Sequence, residues 1–116
     1  MTIEALIINY LIEADIDGIG RNVYAETPVD LPDNYVLVSR TGGGISNYLR
    51  DYTVYTETIS RNDKLTAATN HEAVVAAMLA LPDSTNVFRC RLNSDYDATR
   101  PEMKDYRYQA LWQITT

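Results

Sequence analysis

The chain has 116 residues, 46% of them hydrophobic and 22% charged, a length and balance that suit one globular domain and exclude a disordered chain. Its formal net charge of −6 opposes tight binding to nucleic-acid phosphates or to an anionic membrane. The one cysteine cannot form an internal disulfide, no apolar run reaches the roughly 18 residues that a membrane span needs, and the acidic N-terminal stretch lacks the basic region of a signal peptide.

Residues 3–16 predict a helix. Ile3, Leu6, Ile7, Tyr10, Leu11 and Ala14 recur at three- and four-residue spacing, Thr2 can cap the first turn, and Asp17-Gly18-Ile19-Gly20 provides the exit. Residues 22–26 form a short strand candidate. The two prolines and the Asp-Asn pair in residues 27–34 make that segment a loop. Residues 35–40 are rich in strand formers, and Thr41-Gly42-Gly43-Gly44 is expected to break that strand at a flexible tip that uses positive φ angles. Residues 45–51 are left as a connection. Residues 52–60 alternate with Thr and Glu and return as a half-exposed strand, giving an antiparallel hairpin with a long tip.

Thr69-Asn70-His71-Glu72 has the form of a capping box and opens a helix over residues 73–81, or from near Ala67. Val74, Ala77, Met78 and Leu81 share its inner face, and Pro82-Asp83 stops it. Residues 86–92 are a strand, 93–104 an exposed polar loop, and 106–115 the clearest strand, with Tyr106, Tyr108, Ala110, Trp112 and Ile114 on one side. The order helix, three strands, helix, two strands predicts an α+β domain. It has a mostly antiparallel sheet of about five strands, two helices packed on one face, and the other face partly open for docking.

The chemistry of catalysis is sparse. His71, the lone histidine, falls at the predicted helix start, where a solvated surface position is expected. With one His and one Cys there is no zinc set, and no cofactor motif occurs. Thr41-Gly42-Gly43-Gly44 lacks the Lys and the helix start of a phosphate loop, and Asp95-Tyr96-Asp97 lacks the glycine and distant Glu of a calcium loop. Cys90 sits in an alternating apolar stretch and is expected to be a small buried strand residue. The nine tyrosines, and Arg40, Arg50, Arg61, Arg89 and Arg100 at strand ends and loops, suit subunit contacts, since Tyr rings and Arg forks are favoured at interfaces.

Two motifs stand in order in this short chain: Val23-Tyr24-Ala25-Glu26-Thr27-Pro28, then Pro32-Asp33-Asn34-Tyr35-Val36-Leu37-Val38-Ser39-Arg40-Thr41-Gly42-Gly43. An aromatic-rich strand, an Ala-rich helix and the strand with Arg107-Tyr108-Gln109-Ala110 follow. Over nearly its whole length the chain resembles the tail-terminator and minor-capsid (tail-completion) proteins of phages with long non-contractile tails, and of prophages. The resemblance implies a non-enzymatic structural protein without cofactor, made in the host cytoplasm. It would form a hexameric ring that caps the tail tube at the head-proximal end of the virion tail. Its partners would be copies of itself, the tail-tube protein and a head-completion or neck protein, with DNA passing through an acidic lumen unread. In those proteins the second helix starts soon after the long strand, whereas residues 61–68 here read as an added polar segment.

A closed ring needs one subunit edge to fit a different edge of the next. Arg40, Thr41, Gly42, Gly43, Arg50, Arg61 and Arg100 are the candidate contacts with neighbours or tail, carried on the hairpin tip and on the loop 93–104. Three rival readings stand beside this one. A neck or head-closure protein would form a ring at the same junction. A small adaptor or antitoxin-like regulator would use the open sheet face as a monomer or dimer. A small hydrolase or lyase would need a cleft with two acids of shifted pKa.

Overall fold

Trp112 is fully buried at the middle of a strand whose alternate residues Ala110 and Ile114 are also fully buried, and the sheet is organised around that strand. The computed structural model describes residues 2–46, 49–103 and 105–116. In chain order the elements are α1 (Ile3–Ala14), β1 (Val23–Tyr24), β2 (Asn34–Ser46), β3 (Leu49–Ser60), α2 (Lys64–Leu79), the single turn α3 (Leu81–Ser84), β4 (Arg89–Asp97) and β5 (Tyr106–Thr115). The sheet order is β1-β2-β3-β5-β4. All neighbours are antiparallel except β1, which runs parallel to β2 through two residues. The molecule is thus an α+β protein with a mostly antiparallel five-stranded sheet.

The helices α1 and α2 cover one face. Ile3, Ile7 and Leu11 of α1 and Ala67, Val74 and Met78 of α2 are buried, at the spacing that places them on one side of each helix. They close over Val36, Val38, Val54, Ala110, Trp112, Ile114 and Cys90. Each Val, Leu, Ile or Met side chain among them, taken wholly out of water, contributes roughly 1.5–3 kcal/mol. The Trp112 indole N–H donates to Thr56 Oγ1 at 3.0 Å, which satisfies the one polar atom that burial of this ring would otherwise orphan.

Four expectations are corrected. The second helix begins at Lys64, capped by Asp63, whose side chain accepts from the Thr66 amide at 2.6 Å. The Thr69 capping box therefore lies inside the helix, His71 is buried at 3% exposure rather than solvated, and the apparent polar insertion after β3 shrinks to three residues. The run Thr41-Gly42-Gly43-Gly44 does not end β2. It continues as strand to Ser46, opposite Leu49, with one bulge between Arg40 and Gly42. The positive-φ glycines are instead Gly18 and Gly20, beyond the α1 terminus, where Asp15 is also left-handed. The expected loop 93–104 is strand as far as Asp97. Asn47 and Tyr48, in the expected connection 45–51, and Lys104, at the end of the expected loop, lie outside the described residues.

Two threonines on one strand separate the value of a made hydrogen bond from that of an unmade one. Thr56→Val removes the acceptor and leaves the Trp112 N–H buried and unpaired, so it is expected to destabilise the fold by about 1–3 kcal/mol. Thr58 is equally buried, and its Oγ1 has no partner among the described residues, so Thr58→Val is expected to be neutral or stabilising. Urea unfolding of both variants checks the contrast.

Candidate functional site

The seven candidate contact residues fall into two groups at opposite ends of the sheet. Arg50 and Arg61 lie eleven residue steps apart along β3 and its exit, which at about 3.3 Å per step is roughly 36 Å.

The first group is the distal half of the β2–β3 hairpin. Arg40, Thr41, Gly42 and Gly43 on β2 face Arg50 to Val54 on β3. The Arg40 and Arg50 guanidinium carbons lie 5.2 and 4.8 Å from the Tyr52 ring centroid, so one half-buried aromatic ring holds two cations. Arg40 Nε also donates to the Gly42 carbonyl at 3.3 Å, and Thr41, the extra residue at the bulge, donates from Oγ1 to the Thr53 carbonyl at 3.3 Å. Gly43 is required by close approach: a Cβ there would stand 2.6 Å from the Asp51 carbonyl oxygen. Ile45 and Leu49 near the tip are exposed, at 75% and 42%. An arm with paired arginines and apolar residues can bind a carboxylate-bearing surface, because the arginine fork matches carboxylate geometry.

The second group lies at the other end, on the face away from the helices. Tyr35 and Ile59 point to that face yet are buried, at 4% and 1%. Together with Thr27, Leu31, Arg61, Arg100, Met103, Asp105 and Arg107 they line a pocket of about 230 Å³. Arg61 Nη1 donates to the Leu31 carbonyl at 3.2 Å, and Arg100 pairs with Asp105. This end of the open face is therefore covered by loops, while further along it Leu37, Tyr55 and Leu111 are half-buried.

Beneath this pocket is an ion network that composition alone does not reveal. Arg107 grips Asp105 through Nε at 3.0 Å and Nη2 at 2.7 Å, and its Nη1 pairs with Glu57. The three side chains are only 13–15% exposed. Burial pushes the Asp105 carboxyl up, but the hydrogen bonds and charge of Arg107, then of Arg100, outweigh it and hold the group below its ordinary 3.8. Burial likewise opposes the Arg107 charge, and Asp105 with Glu57 more than restores it. Glu57 pairs with Gln109 in the ladder and so sits diagonal to Arg107. That register is the signal that could have found the pair.

His71 occupies a third polar cluster, between α2 and β4. Its ring stacks on Tyr108 at 5.4 Å, and Nε2 lies 3.3 Å from Asp95 Oδ2. Two turns earlier Lys64 pairs with Asp97 at 2.6 Å. That hydrogen bond, with two more from Thr99, brings the Asp97 carboxyl down to about 2. Cys90 is buried, and burial pushes its thiol up to about 12, so it is not a nucleophile. Among the described residues no group of three or more His, Cys, Asp or Glu side chains is placed to hold a metal. No described helix is long and apolar enough to cross a membrane.

Arg107→Leu is expected to cost about 2–3 kcal/mol, because it leaves two largely buried carboxylates without their cation. Since the Asp105 pKa is depressed on folding, its stabilisation is present above the unfolded value near 3.8 and fades as pH falls below it. Urea midpoints from pH 5 to pH 3 should therefore fall less steeply in Asp105→Asn than in the natural chain.

No protein-family model matches the sequence. No curated protein matches it either. Among solved structures, the fold is similar to that of a chain in the virion of a native gene transfer agent (GTA) particle, with a TM-score of 0.71 and 15% sequence identity, over 97% of this chain and 92% of that one.

Proposed function

We propose that this chain is a structural, non-enzymatic subunit of a phage-like virion. In this reading it assembles as a ring, of six copies, that caps the tail tube at its head-proximal end and joins it to the head-completion proteins. The observation that carries the reading is the end-to-end likeness of fold to a chain of a gene transfer agent virion. The order of motifs through Pro32 to Gly43 supports the tail-terminator role within it. The short link of three residues between β3 and α2 also supports that role.

The physical features suit a ring subunit. The polar arm at Arg40, Thr41, Gly42, Gly43 and Arg50 stands at one end of a molecule 46 Å long and 24–25 Å across. Arg61 and Arg100 stand at the other end, so the two groups would serve different contacts: the arm a neighbouring copy, the Arg61–Arg100 end the tail tube or the neck. Head-to-tail contacts between unlike surfaces are what a closed ring requires. DNA would pass through the lumen without sequence readout, and a net charge of −6 would keep it from adhering.

Light scattering and negative-stain images of one sample, with and without purified tail tubes, test the reading. The expected result is a closed particle of about six subunits with an open lumen, alone or on the tube end. A chain that stays monomeric and leaves tube ends bare removes the ring reading in favour of an adaptor. Arg40→Glu combined with Arg50→Glu is expected to lower the assembled fraction at least about tenfold, the scale of 1.4 kcal/mol in an equilibrium constant. Unchanged assembly would remove the hairpin arm from the contact.

A further inference from the structure

Among the described residues, the sheet ends in two unpaired edges of matched length. β4 has β5 on one side and no strand on the other along its nine residues. At the opposite edge, β1 pairs only with Val36 and Leu37, so β2 is without an outer partner from Val38 to Ser46. Long free edges invite pairing with another strand, and proteins normally shorten or cover them. Here neither is covered: Ser94 to Asp97 and Arg40, Thr41, Gly43 and Gly44 are exposed.

Three features make the two edges fit each other. The first is direction. The sheet runs antiparallel from β2 through β3 and β5 to β4, so β4 points opposite to β2. Rotation about an axis along the strands carries one copy's β4 beside the next copy's β2 in antiparallel orientation, with no strand needing to turn over. The second is shape. The β2 bulge lies between Arg40 and Gly42, and the β4 bulge between Leu92 and Ser94. Arg40 pairs with Val54, and Val54 and Leu92 both pair with Trp112, so both edges bend in the same row of the sheet. The third is charge: with those rows aligned, exposed Arg40 stands opposite Leu92 and diagonal to Asp95, on the same face. The Ala98 amide bonds inward to the Arg107 carbonyl, so by strand alternation the Asp97 and Asp95 amides point outward, free to extend a ladder.

We propose that β4 of one copy pairs with the distal half of β2 of the next, joining the sheets of neighbouring copies into one continuous antiparallel sheet. This rests on the ring reading and names the contact that closes it. The gain would come from main-chain hydrogen bonds, with Arg40 and Asp95 setting the register.

Hydrogen exchange on the natural chain tests the pairing without a variant that could fail to fold. Amides of residues 38–44 and 89–95 are followed in the assembled fraction and in a fraction diluted to monomer. The expected result is slowing by about tenfold or more in both segments on assembly, with the residue 64–79 helix unchanged. An assembled ring whose edge amides exchange as fast as in the monomer overturns the pairing while leaving the ring reading intact. A chain that never assembles, at any concentration or on tail tubes, overturns both.

Discussion

The hydrogen bond from the Trp112 indole to Thr56 Oγ1 sits where the whole structure converges. The indole is the largest fully buried side chain. Its position under the helices determines which face of β5 points inward, and through the β3–β5 ladder it aligns Val54, Thr56 and Thr58 beneath α2. A slip of one residue in that ladder would send the ring to the other face and bring Leu111 and Gln113 under the helices instead. The indole N–H would then lose its acceptor in the same step, so packing and polar satisfaction select one register together. The inward row and the outward row follow from that choice, and with them the positions of Glu57 and Arg107.

The two faces are stabilised by different physics. Under the helices the sheet is held by apolar burial. On the other face Tyr35 and Ile59 are capped by loops that an ion network pins in place. Arg107 reaches across from β5 to Glu57 of β3 and down to Asp105 at the start of its own strand. It therefore ties the turn before β5 to the middle of the sheet, which apolar contacts alone would not do for a polar segment. Between that anchored end and the hairpin arm, the sheet keeps a half-exposed band around Leu37, Tyr55 and Leu111.

Local patterns were legible where a single element decided its own structure. The stripe through Ile3, Ile7 and Leu11, the alternation ending at Ile114, the burial of Cys90 and the α+β class all read directly from spacing. What did not read depended on partners distant in sequence. Gly42 and Gly43 look like breakers until β3 comes alongside and leaves Gly43 no room for a Cβ. Asn93 to Asp97 looks like a loop because its side chains are polar and exposed. It is strand because β5 offers it a ladder and α2 offers Asp95 and Asp97 their partners. Thr69 matches a capping pattern, but Asp63 captures the helix start six residues earlier and places His71 in the interior. The candidate contacts divided for the same reason. Arg40 and Arg50 are joined by a hairpin that sequence can suggest. Whether Arg61 and Arg100 lie near them depends on sheet order, which it cannot.

The place of β5 in the sheet has a temporal meaning. β5 follows the other four strands in the chain yet lies between β3 and β4, so a growing chain exposes both of those strands as unmatched edges until it emerges. Residues 2–103 would then present a half-built sheet with the slot between β3 and β4 empty and the seat of the indole vacant. Folding of this molecule on the ribosome therefore cannot proceed strand by strand from the N-terminus. It must wait for the insertion of β5 between β3 and β4.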